Sequence, residues 1–376
     1  MVCFLSLAPS PLSRTGYYGR ALTLLFVCAT AIGVRSADAQ TAIHGYVTNQ
    51  CSGTISVFDT ATNRSVATIP GGLTPFDVAL TPDGTRAYVT NIGGGDLSFI
   101  DTTTNRIVGS LLLGAGSAPA RLVFTPDGTR AYVTTTNFVV LIDTATNQII
   151  SITRIDGFSI AITPDGTKVY VTEPTTRRVA VLPTALNFVT TWITLDADPV
   201  DVAIAADGTR AYVTLPSANA IVIVDTATDT VVGRWSVPNA PEFLAVTPDG
   251  SRVFVALDAI NAVSVIDTAT GAIIANVPTG RAPAHVEFTP DGATAYVTNV
   301  QDNTITVIDT ATLTVATTLT GFACPGGIAI GAVPAPAAVP TDKSQCKDGG
   351  YQRFGPPAGP FRNQGQCVAY VEHHTP

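Results

Sequence analysis

The chain has 376 residues and a net charge of −8, and only 13% of its residues are charged, against roughly 25% in an ordinary soluble protein. Three lysines (Lys168, Lys343 and Lys347) leave no basic stripe to offset a phosphate backbone, which argues against nucleic acid as a partner. With 46% apolar residues, and 32 Gly and 26 Pro spread along the length, the composition excludes a disordered or mainly helical chain and points to short buried strands joined by tight turns.

In chain order, Arg14 and Arg20 precede an apolar run from Ala21 to Val34 that ends at Ala37-Asp38-Ala39. The run is shorter than the roughly 20 residues a bilayer span needs, and Ala-x-Ala offers the small side chains a signal peptidase accepts. Residues 1–39 are expected to be a signal peptide cleaved before Gln40. The remainder is then secreted, periplasmic or held at the cell surface, with no integral membrane span.

From residue 40 the sequence repeats. Gly45-Tyr46-Val47-Thr48-Asn49 returns around Tyr88, Tyr132, Tyr170, Tyr212, Phe254 and Tyr296, and Phe58-Asp59-Thr60-Ala61-Thr62 returns around Asp101, Asp143, Pro183, Asp225, Asp267 and Asp309. Both markers give seven copies with a period of about 42 residues, in the range of propeller and solenoid repeats. Thr81-Pro82-Asp83-Gly84 recurs at Thr125, Thr163, Ala205, Thr247 and Thr289. It reads as a turn, because Pro fixes φ, Asp bonds its own backbone and Gly accepts a positive φ.

One unit therefore reads as strands over 76–80, 86–91, 96–101 and 106–111, each rich in Val, Ile, Tyr and Thr. Four strands per unit predict an all-β protein, a seven-bladed β-propeller over residues 40–333. The chain enters on a second strand at His44, while Gly327-Ile328-Ala329-Ile330 is a first strand without a successor, so that strand is expected to close the ring. Cys51, Cys324, Cys346 and Cys367 remain after cleavage, and cysteine spacing alone leaves three pairings open. Ring closure favours Cys51 with Cys324, since both then fall on one face of the closing blade.

These motifs, Pro-Asp-Gly-Thr-Arg-Ala before Tyr-Val-Thr-Asn and then Ile-Asp-Thr-Ala-Thr, resemble the YVTN-repeat β-propeller family over about residues 44–333. That family occurs in exported and cell-surface proteins, including surface-layer propellers. A more distant similarity is to lactonase-like seven-bladed propellers. After a Pro/Ala linker at 334–342, residues 343–376 resemble a short two-cysteine C-terminal motif of exported bacterial proteins. A segment this small requires a Cys346–Cys367 disulfide to hold it together. His373 and His374 follow those cysteines but match no common zinc spacing.

Comparing the seven copies separates what the fold needs from what is free to vary. The recurring Asp of Asp-Thr-x-Thr reads as a turn former and not as a calcium ring, and Pro183 replaces it without loss of period. Four residues before the Thr of each Thr-Pro-Asp-Gly, the copies instead carry Asp77, Arg121, Ser159, Asp201, Phe243, His285 and, on the closing strand, Gly327. These residues begin the innermost strands and are expected to ring one mouth of the channel. Asp77, Arg121, Asp201, Glu242 and His285 are the candidate binding residues, with a solvated rim whose side chains never meet as the other reading. An insertion near Gly114–Ala118 and a shortened copy after Tyr132 add asymmetry on the same face.

No P-loop, dinucleotide, Cys-x-x-Cys-His or His-Glu-x-x-His motif occurs, so neither a cofactor nor a metal is expected. The expected function is a non-catalytic binding or cell-envelope interaction module, with an envelope protein or glycan as partner. The alternative is a lactonase-like hydrolase in which His285 is catalytic and Asp201 or Glu242 orients it.

Overall fold

A computed structural model describes residues 42–114, 116–334, 346–347 and 364–374. The expected signal peptide, the linker beyond residue 334 and most of the C-terminal segment lie outside these residues. The described chain forms seven four-stranded antiparallel sheets, the blades of a propeller. Blade 1 consists, from the axis outward, of Pro325–Val333, Ala42–Asn49, Thr54–Asp59 and Arg64–Pro70. Blade 2 follows as Pro75–Leu80, Arg86–Asn91, Asp96–Asp101 and Arg106–Leu112. The inner strands of blades 3 to 7 are Leu122–Phe124, Ile160–Ile162, Val202–Ile204, Leu244–Val246 and Pro283–Phe288. Each inner strand touches those of both neighbouring blades, around the full circle.

The turns form as their residues require. In the Thr-Pro-Asp-Gly turn, the Gly84 amide donates to the Thr81 carbonyl at 2.8 Å, Asp83 Oδ1 accepts from the Thr81 hydroxyl at 2.6 Å, and Gly84 takes a φ of 68°. In the outer hairpin, Asp59 Oδ1 accepts from the Thr62 amide and hydroxyl, both at 2.7 Å, and Asp101, Asp143, Asp225, Asp267 and Asp309 repeat the bond to the amide three residues on. Where Pro183 stands instead, its carbonyl accepts from the Leu186 and Asn187 amides and the turn survives on backbone bonds alone.

Blades are joined by the tyrosine of the Tyr-Val-Thr motif. Tyr46 donates to Asn105 Oδ1 at 2.8 Å, Tyr132 to Asn187 at 2.6 Å and Tyr296 to Asn63 at 2.9 Å, while Tyr88 donates to Asn147 and Tyr170 to Asp229. Each partner belongs to the outer hairpin turn of the next blade and takes a positive φ, a conformation Asn and Asp tolerate. Two blades depart from this pattern. Phe254 lacks the hydroxyl, and the matching turn residue is Leu313, packed in the same apolar cluster. Tyr212 faces a turn with Gly271 and stacks on Trp235 at 5.1 Å.

Closure follows the expected register. Ala42 pairs with Val333 and Asn49 with Pro325, so the closing strand is longer at both ends than residues 327–330. The Cys51–Cys324 disulfide, with Cα atoms 5.4 Å apart, lies just past the Asn49 end of this pair. Cys346 and Cys367 form the second disulfide and are buried with Val371. Cys367 lies on a helix, Gln364–His374, that no sequence pattern had indicated. Among the described residues no group of three or more His, Cys, Asp or Glu is placed to hold a metal, and no helix is long and apolar enough to cross a membrane.

Two outcomes test this construction. Tyr88→Phe is expected to cost about 1 kcal/mol, and adding Asn147→Leu to recover part of that loss. Denaturant unfolding of the four proteins of this double-mutant cycle measures the coupling. The Cys51→Ser, Cys324→Ser double variant is expected to lose about 3–5 kcal/mol, as removal of a native disulfide that closes a long loop implies, read as a lowered Tm.

Candidate functional site

The variable ring is built by residues that repeat. A proline stands two positions before it in six blades (Pro75, Pro119, Pro199, Pro241, Pro283 and Pro325), with Gly157 in the remaining one; proline presets φ where the chain turns inward. The threonine of Tyr-Val-Thr then fixes the ring residue. Thr134 Oγ1 accepts from the Arg121 amide at 3.0 Å and donates to the Phe158 carbonyl of the next blade at 2.9 Å. Thr90, Thr172 and Thr214 do the same for Asp77, Ser159 and Asp201. At Gly327 the small residue is required, because a Cβ would lie 2.6 Å from Asp77 Oδ1 and 2.7 Å from its Cα.

The ring is not a solvated rim. Asp77, Arg121, Ser159 and Asp201 are buried, and His285 and Phe243 are half-buried. Arg121, from blade 3, crosses the channel and donates through Nη1 to His285 Nδ1 of blade 7 at 2.9 Å. The same nitrogen is 3.7 Å from Asp77 Oδ1. Its guanidinium lies 4.7 Å from the Phe243 ring centroid and 5.9 Å from that of Phe76. Phe243 stacks on His285 at 5.2 Å, and Phe158 bridges Phe76 and Phe243 at 6.4 and 6.3 Å. Together these groups form a bar across the axis.

Next to the bar is a cavity of about 290 Å³, lined along the inner strands by Asp201 to Ile204, Phe243 to Val246 and His285 to Glu287. Its carboxylates are held by amides. Asp201 Oδ2 accepts from the Leu244 amide at 2.9 Å and Oδ1 from the Ser159 hydroxyl at 2.5 Å, while Asp77 Oδ2 accepts from the Leu122 amide at 3.2 Å. Burial raises the Asp77 pKa against the opposing pull of Arg121. Burial, reinforced by Arg121, holds the His285 pKa well below its ordinary value, so the ring is neutral at neutral pH.

Asp77, Arg121, Asp201 and His285 are thus brought together, and Glu242 is not. Its backbone carbonyl accepts from Thr214, and burial with Asp258 nearby raises the pKa of its carboxyl. The residue the copy-by-copy comparison passed over is Glu287. It lies two positions after His285, on the same side of the strand, where the other blades carry Ala79, Val123, Ala161, Ala203, Ala245 and Ala329. Burial in the channel, with Asp77 adding repulsion, pushes its pKa up to about 8. Among the described residues, none of the inserted loop lines this cavity. Ser117 in that loop bonds to Gly95 and accepts from Thr136 of the shortened copy, so insertion and deletion offset each other locally.

A family model of the choice-of-anchor I domain matches residues 11–237. The chain belongs to the choice-of-anchor I domain family. A YNCE-like beta-propeller model matches residues 243–331, so the two matches together extend through the blades. No curated protein matches the sequence. Among solved structures, a functionally unknown protein from Desulfotomaculum acetoxidans DSM 771 is 21% identical with a TM-score of 0.68, covering 77% of this chain and 99% of its own. Kuenenia stuttgartiensis hydrazine synthase is 23% identical with a TM-score of 0.66, covering 71% and 92%. The dihydro-heme d1 dehydrogenase NirN, solved in complex with DHE, is 15% identical with a TM-score of 0.60, covering 76% and 74%. At these identities the likeness is one of fold, shared by this member of the choice-of-anchor I family.

The folded protein keeps the Glu287 proton up to about pH 8, whereas the unfolded chain releases it near 4.5. Stability from this group is therefore present at low pH and lost as pH rises through that window. Glu287→Ala is expected to gain Tm relative to the parent as pH goes from 5 to 8.5, which thermal melts across that range check.

Proposed function

We propose that this chain is an extracytoplasmic, surface-associated propeller that works as a binding module and takes a small ligand, or the end group of an envelope glycan or protein, in the channel cavity beside the Arg121 bar. The observation that carries this reading is the convergence of Arg121, His285, Asp201 and Glu287 on one cavity from blades that are otherwise near copies. A stabilising core does not call for different polar chemistry in each copy, whereas a ligand does. Membership of the choice-of-anchor I family, the resemblance to exported YVTN-repeat propellers, two disulfides and the signal-peptide pattern of residues 1–39 all support a location in an oxidising compartment.

Hydrolysis in the same cavity is the competing reading, and two of the similar solved structures are enzymes by title. The wiring around His285 disfavours it. In a triad the far nitrogen of the base donates to a carboxylate or other acceptor that orients it; here Nδ1 instead accepts from the cation of Arg121, and both oxygens of Asp201 are engaged by Ser159 and Leu244. Purified protein and its His285→Ala variant are expected to show the same background rate on a panel of lactones and esters. Saturable turnover that only the parent shows would replace binding with catalysis. Fractionation of producing cells should find the chain outside the cytoplasm with Gln40 at its N-terminus, and a cytoplasmic uncleaved chain would overturn the location.

A further inference from the structure

The polar groups of the channel cavity divide by what they have left to offer. The acceptors are largely spent. Asp201 is engaged at both oxygens, and Asp77 at Oδ2 by an amide and, at longer range, at Oδ1 by Arg121. The donors are not. Because Arg121 donates to His285 Nδ1, the single proton of the neutral imidazole sits on Nε2, and that N–H has no partner among the described residues. Arg121, whose side chain is 11% exposed, keeps Nε and Nη2 without a hydrogen-bond partner, but both atoms are buried, so it offers the cavity positive charge and no reachable donor. Glu287 has no hydrogen-bonding partner among the described residues either, and with its pKa near 8 it is a carboxylic acid at neutral pH, which makes it a second donor beside His285.

We propose that this cavity binds a small monocarboxylate, one ligand oxygen accepting from His285 Nε2–H and the other from the Glu287 carboxyl, with Arg121 behind His285 supplying the counter-charge. The inference deepens the binding-module reading and rests on it. His285 and Glu287 are two residues apart on one strand and face the same side, so a two-oxygen acceptor can meet both. The volume of about 290 Å³ admits a small ligand only.

The charged and titratable groups that line the cavity with Glu287 are Asp77 from blade 2, Arg121 from blade 3, Asp201 from blade 5 and His285 on its own strand, and Asp77 is the one whose charge acts on it. The remaining blades present Ser159 and Ala161, Phe243 and Ala245, and Gly327 and Ala329 at the corresponding positions. A ligand carboxylate adds a negative charge near Asp77, and sharing the Glu287 proton keeps that addition to one. An ammonium ligand fits the residual charge of Asp77 and Asp201 less well, because amides, the Ser159 hydroxyl and Arg121 already engage those groups, and because it would lie close to the Arg121 cation.

The test is NMR titration of the full mature chain with propionate and, separately, propylammonium, following the His285 imidazole nitrogens between pH 6 and 9. Propionate is expected to shift the Nε2 signal at pH 6, and its apparent affinity to fall about tenfold per pH unit above the Glu287 pKa. Glu287→Gln, which keeps a donor without a titration, should retain binding and flatten that dependence. Glu287→Ala, which installs the residue found in five sister blades and so is compatible with the fold, should weaken propionate at least tenfold. Undiminished propionate binding by Glu287→Ala would overturn the proposal. A His285 shift caused by propylammonium alone would overturn the ligand class while leaving the cavity a binding site. A His285 signal that neither probe moves would overturn the carboxylate proposal and take the site away from the binding-module reading as well.

Discussion

Tyr88 crosses from its own blade to a turn of the next, and this contact contains the constraint on which the rest of the molecule depends. A four-stranded sheet has two faces, and no blade here can cover either alone. Tyr46, Tyr88, Tyr132, Tyr170 and Tyr296 are almost wholly buried between sheets, and so are the valines that follow them. Burying those rings fully requires the phenolic oxygen to find a partner. The next blade supplies it from a left-handed Asn or Asp that its own hairpin turn already needs. One residue thus serves turn geometry and blade docking together, which is why the two sequence markers recur with the same period. Where the hydroxyl is absent, at Phe254, the partner has become Leu313.

The same economy explains which features could be read from the sequence. Turns, strands, blade number, ring closure and the Cys51–Cys324 pairing follow from local patterns that repeat, and each copy reinforces the others. Bonds between blades were not readable, because Tyr88 and Asn147 are neighbours only once the ring exists. The C-terminal helix is not legible in the sequence, because its framework is a disulfide and not an apolar stripe. In the channel, sequence adjacency misled. Glu242 stands next to the ring residue Phe243 in sequence, but consecutive residues entering a strand point to opposite sides. Glu287, two positions from His285, shares its side, and extending the comparison of copies two residues further along the inner strand would have exposed it against a row of Ala and Val.

The channel also shows where the repeat gives way. Six blades spend the position after next on a small apolar residue, and the seventh places an ionisable acid there, in a setting that disfavours its charge. Arg121 is likewise long, cationic and buried at a ring position where its neighbours are Asp77 and Ser159. Such groups lower stability when nothing balances them, and a fold assembled from copies has ready substitutes for each. Their presence together at one cavity separates this channel from the packed walls between blades.

Blade 1 has a mechanical consequence. Its two innermost strands are the first and last of the ring, and both free ends leave at the same end of the pair, where Ala42 meets Val333. Tension between those ends loads the backbone bonds one at a time, as a zipper is loaded, and such a pair peels at low force. Peeling runs from Ala42 towards Asn49, and just beyond Asn49 it meets the covalent link between Cys51 and Cys324. The link therefore acts as a mechanical stop. A pull along the chain can peel back these two strands, but the load then passes through sulfur, and the other six blades stay out of the force path.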